Sequence, residues 1–225
     1  METTKKIILI TGASDGIGLA LANKFLNEGF HVIGSSRTGN ITSIVHQDFF
    51  VIQLDVTSEA SIGEAAKVIH EKYKFVDILI NNAGVGTDLG TMAPQRTTFE
   101  QTINTNVTGL VFFAEAVLDL ITNGGQVINV SSQLGSMTLR PHINSTAYRM
   151  SKAALNMYTK VLAERLKGQN IKVISLHPGW VATKLSTKGA PLTTISSANS
   201  VYNIIINNKP TATFWNAETG KELPW

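Results

Sequence analysis

The chain has 225 residues and a net charge of +3, from 19 Lys+Arg against 16 Asp+Glu. No Lys/Arg cluster longer than two residues accompanies that charge, so nucleic acid is not an expected partner; with 43% hydrophobic and 16% charged residues, a core can form and general disorder is excluded. Zero cysteines exclude disulfides, thiol nucleophiles and Cys-ligated zinc, and no uninterrupted apolar run approaches the ~18 residues of a membrane span.

Residues 6–11 read as a buried strand, because Ile7-Ile8-Leu9-Ile10 is a continuous apolar run ended by Gly12. That run is shorter than the ~7–15 residues of a signal-peptide core, so a cytoplasmic protein is expected. Residues 16–27 space Ile17, Leu19, Ala20, Leu21, Phe25 and Leu26 as a helix, with Gly29 placed like a C-cap. Residues 31–34 and 49–54 read as the second and third strands, and 58–73 as a helix with Thr57 or Ser58 as its N-cap. A fourth strand is expected over 76–80, a long helix over 99–121 and a fifth strand over 126–130. An amphipathic helix over 147–166, a sixth strand over 171–176, a helix over 198–206 and a strand over 211–215 complete the chain.

Strand and helix alternate throughout. The pattern predicts an α/β fold: a Rossmann-type, doubly wound parallel sheet of about seven strands with helices on both faces. No repeat, low-complexity tract or Pro/Ser-rich linker divides it, so residues 1–225 read as a single domain. The long irregular segments 131–146 and 178–194 both follow strands, which puts them at the C-terminal sheet edge where open α/β folds bind ligands.

The loop Thr11-Gly12-Ala13-Ser14-Asp15-Gly16-Ile17-Gly18 joins the first strand to the first helix. Its spacing is G-x3-G-x-G rather than G-x-G-x-x-G. Glycines there allow a tight turn and let the backbone approach a pyrophosphate at the helix N-terminus; the same glycines would also serve plain strand–helix packing. After the second strand comes Gly34-Ser35-Ser36-Arg37, with no acid to bond a ribose 2′-hydroxyl. A guanidinium suits a 2′-phosphate, so NADP(H) is the expected cofactor and NAD(H) the alternative, while a solvated surface role for Arg37 competes with this reading.

Further motifs fall at the following junctions: Asp55-Val56, Asn81-Asn82-Ala83-Gly84, Asn106-Val107-Thr108-Gly109, Ser131-Ser132, Tyr148-Arg149-Met150-Ser151-Lys152 and Pro178-Gly179-Trp180-Val181-Ala182-Thr183. With the glycine loop, they make the whole chain resemble the classical short-chain dehydrogenases/reductases. The segments 148–156 and 219–225 look like those of the sniffer-type and C-factor-like carbonyl reductases. The chain departs from the NADP-dependent pattern at Ser14 and Asp15, where many members carry a basic residue. It is also a few residues longer between Ser132 and Tyr148, which leaves Ser131 and Ser136 as competitors of Ser132.

Tyr148 and Lys152 are four apart at a helix start, so they share a face. A neighbouring cation lowers a phenol pKa, toward what general acid–base catalysis requires. The resemblance implies that Tyr148 gives a proton to a carbonyl oxygen as hydride arrives from the nicotinamide. It implies that Lys152 tunes Tyr148 and holds the nicotinamide ribose, that Ser132 binds the substrate oxygen, and that Asn106 holds a water linking Lys152 to solvent. It further implies cofactor contacts from Gly12, Ser14, Asp15, Gly16, Ile17, Gly18, Asp55, Val56, Asn82, Ala83, Gly84, Pro178, Gly179, Val181 and Thr183. Asn82 has tying strands together as an alternative role. No metal is implied.

The implied activity is an NADPH-dependent carbonyl reductase acting on a small carbonyl or alcohol; the alternative is a non-catalytic NADP(H) sensor on the same fold. Leu134, Met137, Arg140, His142, Trp180 and Leu185 are candidate substrate-lining residues. The family pairs through the two long helices, so a homodimer or homotetramer is expected, with Val107, Val111, Ala114 and Leu118 as a candidate stripe.

Overall fold

The structure is a computed structural model that describes residues 5–139, 143–186 and 189–225. Its strands are β1 (Ile7–Ile10), β2 (His31–Ser36), β3 (Phe49–Gln53), β4 (Val76–Asn81), β5 (Ile121–Val130), β6 (Lys172–His177), β7 (Thr213–Asn216) and β8 (Lys221–Glu222). They form one sheet in the order β3-β2-β1-β4-β5-β6-β7-β8. The first seven run parallel and β8 pairs antiparallel with β7. The doubly wound α/β reading therefore holds, with eight strands rather than about seven. The extra strand is two polar residues long and makes no apolar run.

The helices are α1 (Gly16–Asn27), α2 (Glu59–Lys72), α3 (Arg96–Ile103), α4 (Leu110–Val117), α5 (Thr146–Arg165) and α6 (Thr194–Ile206). Side chains alternate across a strand. Ile8 and Ile10 accordingly join Leu21, Phe25, Val201 and Ile205 on the face covered by α1 and α6. Leu9 joins Ile69, Phe113, Val117 and Leu162 on the other face, under α2, α4 and α5. With both faces covered, each buried aliphatic or aromatic side chain contributes roughly 1.5–3 kcal/mol, and a continuous apolar strand is the sequence that results.

The expected helix over 99–121 is broken. A π-helical segment, Asn104–Gly109, separates α3 from α4, and a short 3₁₀ turn, Leu118–Leu120, runs into β5. Gly109 explains the close approach: a Cβ there would lie 2.1 Å from the Val56 carbonyl oxygen. The helical run Arg96–Leu120 is 25 residues long and, by length and composition, apolar enough to cross a membrane. Inspection for uninterrupted apolar runs misses it; Leu110, Phe113, Ala114 and Val117 bury one of its faces in the core.

Candidate active site

The strand order reverses between β1 and β4, and in such sheets the loops beyond the strand ends part to leave a crevice. A cleft of about 620 Å³ opens there. Gly12, Ser14, Asp15, Gly16, Ile17 and Gly18 form one wall, with Arg37 after β2 and Asp55 and Val56 after β3. Asn82, Ala83 and Gly84 after β4, Tyr148 and Lys152 on α5, and Pro178 and Thr183 after β6 complete it. Gly179 and Val181 line the adjoining cleft instead. Asn106 is fully buried behind both.

The glycine loop is held by its neighbours. Gly12 N donates to Ser35 Oγ at 3.0 Å, and Asn82 Nδ2 donates to the Thr11 and Gly12 carbonyls at 2.9 and 3.2 Å. Asn82 thus ties β4 to the loop, as its alternative reading has it. At Gly18 a Cβ would fall 2.2 Å from the Gly12 carbonyl oxygen, so only glycine lets α1 start this close to the turn. Asp15 caps α1, with Oδ1 accepting from Gly16 N at 2.7 Å. Its Oδ2 meets Lys184 Nζ at 2.6 Å. That hydrogen bond from Lys184, followed by the one from Gly16, holds the Asp15 carboxyl below its ordinary value. The cation missing from the glycine loop therefore arrives from the segment after β6, a pairing that no local pattern signals.

Arg37 is exposed at the end of β2 and faces Asp55 across the mouth of the cleft. Asp55 Oδ1 accepts from both Thr57 Oγ1 and Thr57 N, at 2.7 and 2.9 Å. Those two bonds, more than Arg37, lower its pKa.

Lys152 is buried and its Nζ donates to the Val130 carbonyl at 2.8 Å. The ammonium lies 5.6 Å from the centre of the Tyr148 ring. Burial presses Lys152 down to about 8 and Tyr148 up to about 12, the latter opposed by the nearby Ser132 hydroxyl. Tyr148 is half-buried in surface terms because it faces the cleft, and the dense packing around its hydroxyl sets the direction. Desolvation outweighs the Ser132 contribution, so the phenol stands above its ordinary value rather than below it as expected.

Of the three serines in competition, Ser132 lines the second cleft with Tyr148 and its hydroxyl lowers the Tyr148 pKa. Ser131 donates to Asn156 Oδ1 at 2.7 Å, and Ser136 Oγ accepts from Leu139 N at 3.1 Å. The Asn106 side chain is fully bonded within the protein. Its Oδ1 accepts from Val85 N, and its Nδ2 donates to the Val85 carbonyl and to Ser151 Oγ, at 2.8, 2.8 and 3.1 Å. Those bonds spend the side chain on fixing the loop after β4.

A second cleft, of about 470 Å³, adjoins the first and shares Ile17, Ser131, Tyr148, Pro178, Thr183 and Leu185 with it. Ser132, Leu134, Trp180 and Leu185 line it as expected, together with Arg149 and His177, which were not foreseen. Met137 is exposed and lies off its wall. Arg140 and His142 fall outside the described residues.

The family model described as short chain dehydrogenase matches residues 6–191. The chain belongs to the short chain dehydrogenase family. Among its relatives, the serine 3-dehydrogenase of Agrobacterium fabrum is 32% identical over 218 residues, covering 87% of this chain and 86% of that protein. The carbonyl reductase Sniffer of D. melanogaster superposes with a TM-score of 0.87 at 27% identity, covering 99% of this chain and all of that one (100%). An NADPH-bound carbonyl reductase from chicken fatty liver matches with the same TM-score of 0.87, 27% identity and 99% and 100% coverage. This short chain dehydrogenase is an oxidoreductase of the class that uses NAD(P) and interconverts CH–OH and C=O groups.

Asp88, which no motif marks, holds the start of α5. It is buried, and its two carboxylate oxygens accept from Ala147 N at 2.7 Å and Tyr148 N at 3.1 Å. An acid at a helix N-terminus is favourable. Here it also fixes the backbone of the tyrosine. Ser145, just before the helix, takes a left-handed φ of 61° and is pinned by Gly90 N, which donates to its Oγ at 3.0 Å.

Proposed function

We propose that this protein is an NADPH-dependent carbonyl reductase in which Tyr148 is the general acid/base. The observation that carries the reading is the meeting of Tyr148, Ser132 and Lys152 where the two clefts join. The fit to a dinucleotide rests on the first cleft: a glycine turn with no room for a Cβ at Gly18, the first turn of α1 at Gly16, Ile17 and Gly18 on its wall, and Arg37 at the far end. The neighbour bound to NADPH supports the phosphate form of the cofactor, with NADH as the lesser alternative. When bound, the cofactor supplies the hydride.

The rest is work for this chain's side chains. Tyr148 stays protonated at neutral pH, since burial raises its pKa, and so carries the proton that an alkoxide needs. Ser132 orients the phenol and stabilises charge developing on the substrate oxygen. Lys152, buried beside the ring, is poised to change protonation near pH 8, as a proton relay requires. Arg37 would hold a 2′-phosphate, and Lys184, paired with Asp15, would offset that acid's charge toward a pyrophosphate. Asn106 is a positioning residue, acting through Val85. The substrate is a small carbonyl or alcohol in the second cleft. The reading includes one domain over residues 1–225, a cytoplasmic location and a homodimer or homotetramer.

The test is Tyr148→Phe, followed by NADPH oxidation with a panel of aldehydes and ketones. Turnover is expected to fall by about 10²–10⁴ with NADPH affinity retained. Undiminished turnover, or a wild type inert on every carbonyl despite tight NADPH binding, defeats the reading. The second outcome would favour the sensor.

A further inference from the structure

The second cleft holds one charge that the reaction does not use. Arg149 follows Tyr148 in α5 and lines the cleft beside Ser132 and Trp180. The wall carries no Asp or Glu among the described residues. Arg149 itself has no carboxylate partner there. Its Nε donates to the Asn144 carbonyl at 2.9 Å, and its Nη1 to the Leu134 carbonyl at 3.5 Å. A guanidinium has five N–H donors; three on Arg149, shared between Nη1 and Nη2, remain without a partner among the described residues. Two carbonyl bonds also fix the plane of the fork, so little ordering remains for a ligand to impose.

We propose that Arg149 is a specificity-determining residue that selects substrates carrying a carboxylate in addition to the reducible carbonyl. The proposal deepens the reductase reading, on which it rests for the identity of the cleft. A half-buried cation without a counter-charge is costly to keep, and burial does lower the Arg149 pKa. A carboxylate entering the cleft would remove that cost and accept a bidentate pair of hydrogen bonds. His177, at the end of β6, also lines the cleft and is buried with Nδ1 unpartnered. Burial takes it down to about 4, so at neutral pH it adds no second positive charge.

Two measurements on the full chain test this. The first is calorimetric titration, with NADP⁺ present, of 4-methylbenzoate against the isosteric 4-methylbenzamide. The acid is expected to bind about tenfold tighter, equivalent to about 1.4 kcal/mol. The ratio should collapse to about one in Arg149→Gln. A wild-type ratio near one overturns the proposal. So does a ratio preserved in Arg149→Gln, which would make Arg149 a staple between the 144 and 134 carbonyls only. Should the Gln variant fail to fold, Arg149→Lys carries the test: a point charge lacks the fork, so the ratio should drop several-fold, and an unchanged ratio overturns the proposal.

The second measurement compares kcat/KM for 4-carboxybenzaldehyde and its methyl ester, with the same expected preference. Turnover of both without preference sinks the anion site alone. Tighter binding of the acid with no turnover of either aldehyde sinks the reductase reading and leaves the anion site standing.

Discussion

Lys152 shows at the scale of one side chain what the site costs the fold. Its ammonium is buried with a single carbonyl partner, and its pKa stands at about 8 against the ordinary 10.5. Between those values the unfolded chain binds the proton and the folded chain does not, so stability rises with pH across that window. Below about pH 8 the buried charge is a burden of up to about 3 kcal/mol, partly repaid by the bond to Val130. Lys152→Met is therefore expected to raise the melting temperature at pH 7, to flatten the slope between about pH 8 and about pH 10, and to abolish turnover. Thermal unfolding across that range measures it. A Met variant less stable than wild type at pH 7 would show that the ammonium is better solvated than its surroundings imply. Tyr148 has the opposite sign: its phenol, raised to about 12, favours the unfolded state only as pH climbs past 10.

At the scale of elements, legibility followed burial pattern. The apolar core of β1 and the bounds of α1 were readable because Ile8, Leu9 and Ile10 are buried and Leu21 and Phe25 repeat at helical spacing. The end of β2 was not, because Ser35 and Ser36 pair with β3 through backbone that serine does not advertise. The first turn of α6 was missed for the same reason, being capped by Thr193 and followed by polar Ser196 and Ser197. In the site, the glycine loop and the Tyr148–Lys152 pair were legible through spacing, and Ser132 only through the family resemblance. Asp88 and Lys184 were not legible, because each meets the site through a contact distant in sequence, and Arg149 and His177 were not, because no spacing marks them although they adjoin Tyr148 and Pro178.

The π-helical segment is the least readable element, and Gly109 is its hinge point. Adding a methyl at Gly109 forces the helix away from Val56, with a Cβ–oxygen distance of 2.1 Å if nothing moves. Gly109→Ala is expected to destabilise by about 2 kcal/mol. It should also lower turnover at saturating NADPH, because Asn106 would shift from Val85. Urea unfolding and steady-state rates check the two effects. Full activity in a destabilised variant would detach the π segment from the site.

At the scale of the whole molecule, large apolar side chains are exposed on α4 and α5. Of the stripe expected on Val107, Val111, Ala114 and Leu118, Ala114 is fully buried and Leu118 packs on the core, while Val107 and Val111 are half-buried. The outward face instead presents Phe112 at 62% exposure on α4, with Met150, Met157 at 57% and Val161 on α5. Positions 150, 157 and 161 repeat at helical spacing, so they share one face of α5. Large apolar side chains gathered this way mark an interface more often than a solvated surface. A second copy of the chain is the partner expected here, with α4 and α5 of each protomer facing those of the other. Because α5 also carries Tyr148, Arg149 and Lys152, such packing would hold the reacting side chains still from behind. The double variant Phe112→Glu/Met157→Glu would bury four like charges in a symmetric dimer. It is expected to run as a monomer by light scattering where wild type runs as a dimer, with kcat reduced and the far-UV spectrum unchanged. A monomeric wild type at micromolar concentration would assign the face to another partner, and full activity in the monomeric variant would mean that α5 needs no support from a neighbour.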